Sequence, residues 1–138
     1  MRKHGKEKIT PIKTFPVPFN SKEIKENLSL KSNNHLKTSK EKIINQALKL
    51  HSQGKILGAA KYYQYFINQG FKDQIVFFNY GVILNSLGKL KEAELATRKA
   101  IELNPNFRDA HCNLGMILRD LGNLKEAELS TRKAIKLN

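Results

Sequence analysis

The chain repeats itself every 34 residues. Gly54, Gly88 and Gly122 stand at that spacing, and each is followed five positions later by an alanine: Ala59, Ala93 and Ala127. The last two copies are nearly one text, NYGVILNSLGKLKEAELATRKAIELN at 79–104 and NLGMILRDLGNLKEAELSTRKAIKLN at 113–138. A unit of this length is one antiparallel helix pair of a solenoid, in which each repeat buries its apolar side only against its neighbours. The period predicts an all-α chain of about three helix-turn-helix repeats.

Local chemistry points the same way. In KLKEAELATRKAIEL the apolar residues Leu90, Ala93, Leu95, Ala100, Ile101 and Leu103 recur at helical rather than alternating spacing. Glu94 and Arg98 stand four apart in the favourable acid-before-base order. Gly88 falls between two helical runs, where the turn needs backbone freedom. Gly81 and Ala93 are small where the two helices of one repeat cross closely. Asn104-Pro105 ends one helix and starts the next. Thr38-Ser39-Lys40-Glu41 reads as a capping box opening the first helix.

These framework positions resemble the tetratricopeptide repeat family. In the repeat 74–107 they hold Phe77, Tyr80, Gly81, Leu84, Gly88, Ala93, Ala100 and Pro105; in 108–138 they hold His111, Leu114, Gly115, Leu118, Gly122, Ala127 and Ala134. The repeat 40–73 is degenerate: Ile43, Ala47, Leu50, Gly54, Ala59 and Tyr63 fit, whereas Gln46 and Phe66 depart. The resemblance implies a right-handed solenoid over 40–138 whose first helices line a concave, partner-binding surface.

Composition bounds the rest. The 138 residues have room for one domain, and a single cysteine, Cys112, excludes an internal disulfide and fits a reducing compartment. No apolar run reaches the roughly 18 residues that span a bilayer, and no apolar segment follows the basic N-terminus, so a cytoplasmic location is expected. Net charge is +13, with ten Lys/Arg against three acids in 1–40 and fifteen against nine in 41–138. Residues 1–39, rich in Lys, Ser and Asn, read as a disordered basic tail. Scattered lysines without an aromatic-interleaved basic strand argue against nucleic acid, although a tail of this charge could hold a polyanion by counterion release. Within it, Thr14-Phe15-Pro16-Val17-Pro18-Phe19 favours an extended conformation, as a short docking motif or as a linker.

Catalytic chemistry is not legible. His111 and Cys112 are adjacent, which on a helix points them about 100° apart, so they do not form a base–nucleophile pair. His111 takes a position where the family has a large aromatic and is expected to pack in the core. There is no cysteine pair for zinc and no glycine-rich phosphate loop. No enzyme activity, cofactor or metal is expected.

Binding is the remaining class. The sixth position of each repeat holds Asn45, Asn79 and Asn113. Asparagine is a mediocre helix former, and its amide offers a donor and an acceptor that match a peptide backbone. This resembles the asparagine ladder inside the tetratricopeptide superhelix of O-linked N-acetylglucosamine transferases, which implies backbone capture of an extended peptide; inheritance of an inert residue with the repeat explains the same spacing. Beside the asparagines stand Phe78, Val82, Met116, Asn85 and Arg119, with Ile44, Leu48, His51 and Cys112 at matching positions. Together they suit an extended segment or an amphipathic helix. The last helix would expose residues such as Leu124, Leu129, Ile135 or Leu137, for an end-to-end homodimer, a partner protein or further repeats. The sequence therefore predicts a non-catalytic interaction module. Two alternatives stand beside it: a truncated or accessory substrate-binding part of a glycosyltransferase-like enzyme, and a polyanion-binding protein acting through its tail.

Overall fold

The computed structural model describes residues 35–138, and these form six α-helices with no strand among them. They are α1 (His35–Ser52), α2 (Ile56–Asn68), α3 (Gln74–Ser86), α4 (Leu90–Leu103), α5 (Arg108–Asp120) and α6 (Leu124–Lys136). Short turns pair α1 with α2, α3 with α4 and α5 with α6, and each pair packs on the next. The result is the all-α helical solenoid that the period predicts. Expectations for the basic tail and its Phe15–Phe19 segment fall on residues 1–34, outside the described part.

The repeated glycines close each pair. Gly88 adopts φ +73°, a left-handed conformation that costs a side-chain-bearing residue energy and glycine almost nothing. That bend lets Gly88 N–H reach Asn85 O (2.9 Å) and Lys89 N–H reach Leu84 O (2.9 Å), satisfying two carbonyls at the end of α3. The same pair of bonds recurs at Gly54 and Gly122. Gly81 serves a different need. A Cβ there would lie 2.5 Å from Thr97 Oγ1, so its absence sets how closely α3 and α4 cross.

Helix starts hold a correction. The helix α1 begins at His35, so Thr38–Glu41 lies inside it rather than at its cap. Nothing in His35-Leu36-Lys37 breaks a helix, and Ser or Thr inside one costs only about half a kcal/mol. The side-chain cap that does form is at α3, where Asp73 accepts from the N–H groups of Ile75 (2.9 Å) and Val76 (3.1 Å).

The core runs through three clusters of buried residues and changes character along the stack. Around α1, α2 and α3 it is aromatic, with Tyr63 and Phe66 fully buried beside Ile43, Val76 and Ile83. Toward α5 and α6 it thins to Leu114, Leu118 and Ala127. The partly buried Ile101 joins the clusters on both sides of it. His111 is buried as expected of a core residue, and its Nε2–H donates to the Pro105 carbonyl at 2.8 Å, tying α5 to the preceding turn.

Candidate functional site

The first helix of each pair (α1, α3 and α5) carries the predicted binding positions, and the structure gives its three asparagines unequal surroundings. Asn45 is exposed on α1, with no earlier helix beside it among the described residues. Asn79 is half-buried, and its Nδ2 donates to the Tyr63 hydroxyl on α2 at 3.3 Å. Asn113 is only 4 % exposed, and its Nδ2 donates to Thr97 Oγ1 on α4 at 3.0 Å. Two of the three thus reach back 16 residues to a hydroxyl on the second helix of the preceding repeat. A buried amide held this way satisfies polar groups that would otherwise be costly to enclose.

The remaining predicted residues divide in the same manner. Phe78 is half-buried and packs its ring against Phe107, with centroids 4.9 Å apart and a tilt of 51°. It therefore helps to hold the α4–α5 turn. Val82 and Asn85 are half-buried on α3. Met116 is 46 % exposed, and Arg119 lies at the surface with its Nε 3.3 Å from Asp120. Met116 and Arg119 come together, with Cys112, in a cavity of about 470 Å³ whose far wall is Leu124, Glu128 and Thr131 of α6. Asn113 does not line it. A second hollow of about 460 Å³, lined by Ile101, Leu114 and Leu129 among charged side chains, lies between α4 and α6.

The helix α3, QIVFFNYGVILNS, contains no ionisable acid or base other than tyrosine. Charge is dense on α4 and α6 instead, where Arg98 of α4 bridges Glu94 (2.9 Å) and Glu126 of α6. Among the described residues no group of His, Cys, Asp and Glu could hold a metal ion, and no helix is long and apolar enough to cross a membrane.

Three polar contacts escaped the sequence reading: His51 with Tyr63, Tyr63 with Asn79, and Thr97 with Asn113. The Tyr63 hydroxyl accepts from Asn79 and also meets His51 Nδ1 at 3.4 Å, with the two rings edge-on at 6.1 Å. Burial raises the Tyr63 pKa, although the Asn79 bond pulls the other way, so the hydroxyl stays protonated. A signal for this was present in the chain: Tyr63, Thr97 and Thr131 bear hydroxyls at the repeat spacing, the first two 16 residues ahead of an asparagine.

Comparison with known proteins fits this geometry. Two tetratricopeptide repeat families match, one over residues 76–107 and one over 96–128. No curated protein sequence matches the chain. Among solved structures, a point mutant of MamA superposes with TM-score 0.69 at 22% identity, covering 83% of this chain and 80% of its own. The second tetratricopeptide domain of Spaghetti (RPAP3), bound to an HSP90 peptide, gives 0.67 at 20% identity, with 84% and 99% covered. PcrH in complex with the chaperone binding region of PopB gives 0.65 at 21% identity, with 72% and 80% covered. At such identities the likeness is one of fold. With the 34-residue period, the glycine-closed helix pairs and both family matches in agreement, the chain belongs to the tetratricopeptide repeat family.

Proposed function

We propose that the chain is a non-catalytic interaction module that takes an extended or helical segment of another polypeptide on the face presented by α1, α3 and α5. The observation that carries this is the uncharged central helix, α3, flanked by the partly exposed apolar side chains of Leu48 and Met116. Apolar contact with a few amides suits an apolar segment better than an acidic one. That separates it from the acidic SRMEEVD peptide held by the RPAP3 domain, while the RPAP3 and PcrH complexes support polypeptide capture as the class of function.

Capture of binding proteins from a lysate, read by mass spectrometry, tests this with two variants of equal helicity. The double variant Val82→Lys, Met116→Lys is expected to abolish capture, and Leu95→Lys on the outer helix α4 to leave it intact. The reverse pattern would sink the reading.

A second surface has its own support. Residues 124–137 repeat 90–103 at twelve of fourteen positions. Yet Leu124 and Ile135 are 65 % and 64 % exposed, where Leu90 and Ile101 are partly covered by the next repeat. We propose that α6 meets a partner through this face. In a homodimer the contact would be α6 to α6, because the outer face of α1 presents Lys42, Asn45 and Lys49 to solvent. Sedimentation of the wild type against Ile135→Lys tests it, a concentration-independent monomer in both removing the homodimer.

A further inference from the structure

The Tyr63 hydroxyl joins three helices at one oxygen: α2 supplies it, α3 brings Asn79 and α1 brings His51. Their protons follow from donor chemistry. The Asn79 Nδ2 group only donates, so it occupies a lone pair of the Tyr63 oxygen. Tyr63 is 1 % exposed, and its hydroxyl meets these two groups among the described residues; the arrangement that gives its own proton a partner has His51 Nδ1 accept it. In a neutral imidazole whose Nδ1 accepts, the proton sits on Nε2. The chain of bonds therefore runs from Asn79 through Tyr63 to His51. It leaves one donor, His51 Nε2–H, and one acceptor, Asn79 Oδ1, outside the described hydrogen bonds.

Both of those side chains are half-buried, with water on one side and a buried hydroxyl on the other. The neighbouring repeat junction has no equivalent. There Thr97 is too short to emerge, Asn113 is sealed, and the positions that match His51 are Asn85 and Arg119.

We propose that His51 and Asn79, oriented by Tyr63, are a main-chain recognition point for an extended polypeptide crossing the first two repeats. His51 Nε2–H donates to a carbonyl of the segment, and Asn79 Oδ1 accepts one of its N–H groups. This is the pairing that a strand offers along one edge. Leu48, three residues before His51 on α1, and Val82, three residues after Asn79 on α3, select apolar side chains beside it. His51 is thus a specificity-determining residue and Tyr63 a positioning residue. The inference rests on the groove reading above and names the chemistry of its occupant.

The test uses the full-length chain and peptides selected on it from a phage-displayed library of random 12-residue sequences. Without peptide, nitrogen-15 NMR at alkaline pH is expected to show His51 as the Nε2–H tautomer. In Tyr63→Phe, which keeps the ring, the tautomers should mix. An Nδ1–H tautomer in the wild type overturns the relay. With peptide, His51→Met is expected to weaken binding by about five- to tenfold, one hydrogen bond's worth. His51→Gln, which keeps an N–H near the Nε2 position, should recover most of it. Replacing the contacted amide of the peptide by an ester should weaken the wild type and hardly affect Asn79→Ala. Peptides lost on Val82→Lys but indifferent to His51→Met leave the groove standing and overturn this inference. If panning yields no peptide, both fall.

Discussion

The two junctions between repeats use one device with different hydroxyls. In each, an asparagine on a first helix reaches back 16 residues to the second helix before it. At the later junction the hydroxyl belongs to Thr97, whose oxygen stays close to its own backbone and packs against Gly81. Asn113 must enter the core to meet it and ends 4 % exposed. At the earlier junction the hydroxyl belongs to Tyr63, and the ring carries its oxygen out to where His51 and the half-buried Asn79 both reach it. Side-chain length thus decides whether the same amide is sealed in the core or left half-open.

The sharpest way to break this comparison is to remove the hydroxyl-bearing side chains. Tyr63→Ala deletes a fully buried aromatic and should destabilise the chain by about 3–5 kcal/mol, as large-to-small core changes do. Thr97→Ala removes less volume but orphans the Asn113 amide, costing about 1–3 kcal/mol. Urea unfolding followed by circular dichroism measures both. Equal losses would mean that the two junctions are energetically alike despite their different cores.

The asparagines come next in size. Asn113→Ala should cost about 1–3 kcal/mol, because a buried Thr97 hydroxyl loses its partner where water does not replace it. Asn79→Ala, at a half-open site, should cost about 0.5–1 kcal/mol and show mainly in peptide binding. If Asn79→Ala is the more destabilising of the two, the division into sealed and half-open amides is wrong.

How much of this could be read beforehand follows from what a sequence encodes locally. The period, the closing glycines and the close crossing at Gly81 were legible, because backbone conformation and helix spacing are set by the residue at that position. Placement of His111 in the core was legible for the same reason. The three asparagines, however, look equivalent in the chain and differ in the structure, since each environment is made by a residue from another helix. Asn45 has no preceding helix among the described residues, Asn79 meets a tyrosine and Asn113 a threonine. His51 was legible as a groove position, but its contact with Tyr63 was not, because that contact joins two helices. The start of α1 was misplaced because a capping signal is permitted, not compelled, to end a helix.

High pH sharpens the contrast in a third way. Burial raises the pKa of Tyr63, and burial together with the Glu92 charge raises that of Tyr80. In the unfolded chain both ionise near the ordinary tyrosine value of about 10, while the folded protein still holds the protons. The unfolded state then binds fewer protons, so stability is complete below about pH 10 and is lost as pH climbs toward the raised values. Urea midpoints from pH 8 to 11 should fall, and less steeply in Tyr63→Phe. Thr97 has nothing to ionise in this range, so Thr97→Val should leave the slope unchanged. Identical slopes in all three proteins would mean that Tyr63 is not shielded.

The smallest expected effect lies outside the polar relay. Arg98 links Glu94 on its own helix to Glu126 on α6, adding a surface tie across the later junction. Its side chain is 39 % exposed, so solvent and salt screen the pair and three long side chains must be ordered to form it. Arg98→Ala should therefore cost under about 1 kcal/mol in dilute buffer and still less at 1 M salt. The loss of Thr97→Ala should hold at both salt concentrations, because a buried hydroxyl–amide bond between neutral groups is not screened by mobile ions. A salt-independent Arg98→Ala loss of the same size as Thr97→Ala would show that the later junction is held by its ion pairs. In that case the buried Asn113 amide would be a passenger in the stack and not its fastening.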